Sequence, residues 1–202
     1  MEVSPIEANE DRGSMIERTK TRLIHGGHKG TEAEFGRCAE RAGIPETTIS
    51  FDGHVMERGV NVETLTEEVL QQGDVSMAIV FQRLGRRFNR GKGIRRVIQS
   101  IFHVVTRADE VYAVGWLQED DTVKGGTGWG VELAKFFNRP VFVFDQGSDR
   151  WLTWDGHDWR EHQPVIADAT FAATGTRNLT DSGRQAIADL FERSLKAAGM
   201  PA

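Results

Sequence analysis

The chain has 202 residues, 39% of them hydrophobic and 27% charged, with a formal net charge of -5. That length supports one good core and argues for a single domain, and the acidic balance supplies no general attraction to nucleic acid or to an anionic membrane. Cys38 is the only cysteine, which excludes a disulfide framework and a cysteine zinc site and points to a reducing cytoplasm. No apolar run nears the roughly 18 residues of a membrane span.

Residues 1–20 are polar, acidic and without period, unlike a secretory signal, and are expected to form a flexible segment ahead of one domain over 21–202. Thr21 to His25 reads as a short strand running into "GGHKG". A helix is expected from Thr31 to Ala42, stopped by Gly43 and Pro45. "TTISF", Thr47 to Phe51, is β-branched and bounded by turn residues, as a second strand should be.

Next, Thr64 and Glu67 stand at capping-box spacing, and Asp74 is placed to cap a helix with Met77, Val80, Phe81 and Leu84 on one face. Ile94, Val97, Ile98, Ile101 and Val105 recur at helical spacing, and "EVYAVG", Glu110 to Gly115, is a third strand. "RPVFVFD", Arg139 to Asp145, is apolar almost throughout, as a strand covered on both faces of a parallel sheet should be. Asp155-Gly156 between two aromatic-rich arms predicts a hairpin over 150–162. A last strand near Thr170 to Ala173 and a helix from Ser182 to Ala197 complete the pattern. The alternation predicts an α/β fold: a Rossmann-like open parallel sheet with helices on both faces and a small antiparallel hairpin added.

Two glycine loops carry the functional reading. "HGGHKGTEAEF" follows the first strand, and "VKGGTGWGVE" follows the third and packs four glycines into six residues before a helix. In open parallel sheets, ligands sit beyond the carboxyl ends of strands, where helix N-termini favour anions and glycines let backbone N–H groups approach them. Gly26, Gly27, Lys29 and Gly30 in the first loop, and Gly125, Gly126, Thr127 and Gly128 in the second, are therefore candidate phosphate-binding residues. The other reading is that the glycines serve tight turns and close packing. Neither loop is a dinucleotide GxGxxG or a P-loop.

"HGGHKGTEAEFGRCAERAGI" resembles the SGGxxGxD loop and helix of molybdenum-carrier-like proteins, with Thr31 in place of the acidic residue and Glu32 next. "GGTGWGVE" resembles the GGxGTxxE signature of the lysine-decarboxylase-like LOG proteins, with Trp129 in place of the Thr. Both groups belong to the SLOG superfamily of Rossmann-like proteins. "ATGTRNLTDSG" is similar to the G[ST]R phosphate loop of the DNA-processing protein A branch, here near the C-terminal end. The resemblance implies that Gly125, Gly126 and Gly128 hold a phosphate and that Glu132 is the carboxylate with which LOG enzymes release a base from a nucleoside monophosphate; Thr176 and Arg177 are further candidates, with Arg177, expected directly after a strand end, favoured as a phosphate clamp. Ser100 stands where that family carries a helical Arg.

Alternatives stay open at single residues. Glu132 is a general acid, an acceptor for ribose hydroxyls, or a first-turn acid complementing a helix dipole. Trp129 stacks on a base or packs as a large aromatic. Asp52 binds ribose or forms a turn with Gly53. His25 and His28 make a poor metal pair without a third ligand, so no metal and no cofactor is expected. The segment 83–96 has seven basic residues and no acid, leaving about -12 on the remainder. It serves nucleic acid, ligand phosphates or a homo-oligomer contact, or is simply solvated. The reading that follows is a cytoplasmic nucleotide or nucleoside-phosphate binder, either a sensor or sequestering protein or a weak N-glycosidic hydrolase. The alternative is nucleic-acid binding through 83–96.

Overall fold

The computed structural model describes residues 20–85, 91–167 and 169–200. The expected flexible segment, apart from Lys20, and Arg86, Arg87 and Arg90 of the basic stretch lie outside them. In chain order the elements are β1 (Arg22–His25), α1 (Thr31–Ala42), β2 (Glu46–Phe51), β3 (Val62–Leu65), α2 (Glu67–Gln71), α3 (Asp74–Leu84) and α4 (Lys92–Thr106). There follow β4 (Glu110–Gly115), α5 (Thr127–Phe136), β5 (Val141–Asp145), β6 (Arg150–Trp154), β7 (Trp159–Glu161), β8 (Thr170–Gly175) and α6 (Asp181–Ala197). One eight-stranded sheet has the order β3-β2-β1-β8-β4-β5-β6-β7. The first six strands in that order run parallel; β6 and β7 are antiparallel additions at the β5 edge. This is the expected Rossmann-like architecture with its hairpin.

Strand alternation sends neighbouring side chains to opposite layers. Ile24, Val111 and Ala113 face a core built with α2, α3, α4 and α5, whereas Leu23, Tyr112 and Val114 face one built with α1 and α6. Because helices cover both faces, β2 and β4 are buried along their whole length. Helix α1 ends as expected, with Gly43 in the left-handed region at φ 68° and its amide on the carbonyls of Ala39 and Glu40. At the hairpin, Asp155 Oδ1 accepts the amides of His157 and Asp158, and Gly156 takes φ 103°.

Three local expectations change. Thr64 does not cap a helix; it lies in β3, paired with Ser50, and Thr66 is the cap, its side chain accepting from the Val69 amide. Asp74 is the first residue of α3 and not its cap, which is Gly73. Its carboxylate is held by Arg95 at 2.6 Å and Gln99 at 2.7 Å, both on α4. Phe81 is 42% exposed, because α3 buries Ser76, Ile79 and Val80 instead.

Candidate functional site

Strand β8 lies between β1 and β4, so three loops leave the sheet side by side at its carboxyl edge: 26–30 after β1, 116–126 after β4 and 176–180 after β8. With the N-terminal half of α4 they enclose a cleft of about 1140 Å³. That is room for a nucleotide. Each loop contributes differently.

The first loop is filled from within. Oε2 of Glu32 accepts the amides of Gly26 at 2.9 Å and His28 at 3.1 Å and stands 3.0 Å from Nδ1 of His28. The amide of Gly27 goes to Nδ1 of His25, so that ring's proton sits on Nε2, 2.8 Å from the Glu46 carboxylate. Glu46 in turn is clasped by Arg58. Gly27, at φ 73°, passes so close to the Arg58 carbonyl that a Cβ would lie 2.0 Å from it. Gly30, at φ 87°, passes close to the carbonyl of Thr176, 2.5 Å from where a Cβ would be, and that carbonyl accepts both the amide and the hydroxyl of Thr31. These glycines thus allow close backbone approach. Lys29 is exposed, and the cleft is lined here by His28 of the loop and Glu32 of α1.

The second loop is more open. Lys124, Gly125, Gly126, Thr127 and Trp129 line the cleft, and α5 starts at Thr127 after Gly126, with no side chain capping it. The first amides of a helix have no intrahelical acceptor and carry the positive end of its dipole. Gly125 has φ 74° and open space where a Cβ would be; at Gly126 a Cβ would meet only the Trp129 ring, at 3.6 Å. Gly128 differs: a Cβ there would stand 2.2 Å from the Val123 carbonyl. It is a packing glycine. The loop itself is braced by Lys124 donating to the Trp116 carbonyl and by Leu117 donating to Oδ1 of Asp145 at the end of β5.

From the third loop come Thr176, exposed Arg177 and Asn178, and from α4 the apolar wall of Ile94, Val97 and Ile101. Trp116 adds a second tryptophan ring to the lining. Glu132 is not among the lining residues. Its buried carboxylate lies 3.1 Å from Nζ of Lys135 and 3.4 Å from Nη1 of Arg83. Asp52 projects a fully exposed side chain beside Arg96. Ser100 is buried and returns its hydroxyl to the Val97 carbonyl.

The electrostatics centre on His28 and Glu32. The Glu32 charge raises the His28 imidazole above its ordinary value, against the opposing effects of burial and of Arg177. Burial pushes the Glu32 carboxyl up, but the His28 charge and the hydrogen bonds to it outweigh that and hold it below the ordinary range. His54, stacked on Phe51 with ring centroids 4.5 Å apart, places Nε2 3.1 Å from Nε2 of His28. Burial, followed by the His28 charge, pushes His54 down to about 4.

His54, Trp116, Glu32 as an internal anion and the α4 wall were not among the candidates read from the sequence. The available signal was position: His54 follows β2 and Trp116 follows β4 at the sheet's carboxyl edge. No group of three or more His, Cys, Asp or Glu suited to a metal ion occurs among the described residues, and no helix among them is long and apolar enough to cross a membrane.

No family model matches this sequence, and no curated protein is similar to it in sequence. Among solved structures the chain is similar to a crystal structure described as "Putative molybdenum carrier protein" from Syntrophus aciditrophicus SB. The TM-score is 0.50 at 15% identity, over 87% of this chain and 94% of that one. At that identity the likeness establishes the Rossmann-like fold alone.

Proposed function

We propose that the cleft binds a nucleotide or nucleoside phosphate, and that the protein works as a sensor or sequestering protein of the SLOG type. The observation that carries this reading is the make-up of the cleft lining. It joins the N-terminus of α5, where no side chain caps Gly126, and the cations Lys124 and Arg177 with the rings of Trp116 and Trp129 and the aliphatic residues of α4, beside the acids Glu32, Glu119 and Asp120. Anionic oxygens suit the helix N-terminus and the cations, and a planar base suits the aromatic and aliphatic residues.

The phosphate goes to the second and third loops, because three amides of the first, those of Gly26, Gly27 and His28, are already taken by Glu32 and His25. The position of Glu132, paired with Lys135 and Arg83 away from the cleft lining, favours binding over N-glycosidic hydrolysis. The described basic side chains of 83–96 are all engaged with acids of the chain: Arg83 with Glu132, Arg95 with Asp74, Arg96 with Glu67. That weighs against nucleic acid as the partner.

The test is calorimetric titration with AMP, GMP, CMP and UMP, followed by chromatography for released base. Binding of at least one nucleotide without free base is the expected result, and Arg177→Ala should weaken it roughly 10- to 100-fold, the scale of a charge-assisted hydrogen bond. Absence of binding by all four overturns the nucleotide reading. Rapid release of base restores the hydrolase.

A further inference from the structure

The first loop contains a hydrogen-bonded chain that the phosphate reading leaves unused. Glu32 is fixed by two backbone amides and holds Nδ1 of His28, and Nε2 of His28 meets Nε2 of His54. A buried carboxylate at one ring nitrogen requires a proton there, so the second nitrogen decides what the ring offers the cleft. His28 and Glu32 both line that cleft, whereas His54 stands behind, stacked on Phe51.

We propose that His28 is a phosphate-contacting residue of this cleft, with Glu32 holding its Nδ1–H and with its Nε2–H donated to His54 in the empty cleft and to a phosphate oxygen when a nucleotide is bound. The inference rests on the nucleotide reading above and adds to it a charged donor on the first loop. His54 is then an exchangeable partner that keeps the Nε2–H satisfied until the ligand arrives.

The charged and titratable groups facing His28 are Glu32 on α1, His54 after β2, Arg177 after β8 and, through Glu32, His25 at the end of β1. Glu32 favours the imidazolium and Arg177 opposes it. An anion placed between His28 and Arg177 removes that opposition, because it neutralises the repulsion between two cations. The proton on Nε2 stays on His28 throughout; only its acceptor changes.

Two measurements test this. In the ligand-free protein, histidine side-chain NMR against pH should show His28 titrating above 6.5 and His54 below it, with Glu32→Gln moving His28 downward; His28 titrating at or below 6.5 overturns the inference without any ligand. The affinity of the tightest-binding of AMP, GMP, CMP and UMP is then followed from pH 7 to 9, where the phosphate, whose second ionisation lies near 6, no longer changes charge. Wild type should lose about tenfold in affinity as His28 deprotonates, and His28→Gln should start weaker and show no slope. His54→Phe, which keeps the stacking on Phe51, should bind no more weakly than wild type. A flat wild-type profile, or a slope surviving in His28→Gln, overturns this proposal while the nucleotide reading stands. If none of the four nucleotides binds, both fall together.

Discussion

Nζ of Lys135 lies 3.1 Å from Oε1 of Glu132, and the same ammonium sits 3.8 Å from the ring centre of Trp154 and 4.5 Å from that of Trp159. The carboxylate that a family signature would give to chemistry is thus the counter-charge of the lysine that ties helix α5 to the β6–β7 hairpin. Burial lowers the Lys135 ammonium below its ordinary value, with Glu132 acting in the opposite direction. Replacing Glu132 by Gln leaves the cation without its counter-charge. The expected loss is about 1 to 3 kcal/mol of stability, read from denaturant unfolding, with nucleotide affinity unchanged. A variant with full stability and lost affinity would put Glu132 in the binding site after all.

The glycines of the second loop should separate by role. Gly126 has φ -68° and only the Trp129 ring near a would-be Cβ, so Gly126→Val should fold with a midpoint close to wild type and weaken nucleotide binding by about tenfold or more by narrowing the anion's approach. Gly128→Ala should behave in the opposite way. Its Cβ would press on the Val123 carbonyl, and overpacking of that kind costs on the order of 1 to 3 kcal/mol. Paired unfolding curves and titrations of both variants check the split.

Cys38 is buried in α1, and burial pushes its thiol up to about 11. The thiolate is the reactive form, so at pH 7.5 a disulfide reagent should modify the folded protein slowly and the denatured protein at the rate of a free cysteine. The ratio of the two rates is the measurement. Fast modification of the folded chain would mean that α1 opens locally.

His54 makes a prediction about acid stability. Its folded value is about 4 against an ordinary 6.5, so the unfolded chain binds the proton more readily, and stability should decline as pH falls from 6.5 toward 4. His28 has the opposite shift: its contribution is complete below 6.5 and is lost only as pH rises through its raised value. Between pH 6.5 and 5, above the carboxylate range, the slope therefore comes from His54, together with His103, which burial also lowers, and not from Glu32 and His28. His54→Phe should reduce the slope of that part of the thermal-midpoint profile, leaving the His103 share. An unchanged slope would mean that the ring is charged in the folded state.

Where a signal is local, the sequence by itself determined the outcome. Helix α1 has the bounds read from it, because Gly43 at its end needs a left-handed conformation that Gly adopts without strain; β4 runs from Glu110 to Gly115 as its apolar run predicts. Asp155-Gly156 carries its hairpin for the same reason, a turn closed by its own side chain. Tertiary structure decided what depends on distant partners. β3 has three exposed residues out of four and exists through its pairing with β2, which no periodicity announces. The use of the glycines was settled the same way. Thr176, 145 residues from Thr31, supplies the carbonyl that Gly30 must pass, and Val123 supplies the one that Gly128 must pass. Glu32 reads in the sequence as an ordinary first-turn acid; only the folded loop turns it back onto the amides of Gly26 and His28 and onto the His28 ring. His54 joins that chain because β2 ends beside β1 at the sheet's carboxyl edge, a neighbourhood created by strand order and absent from the linear chain.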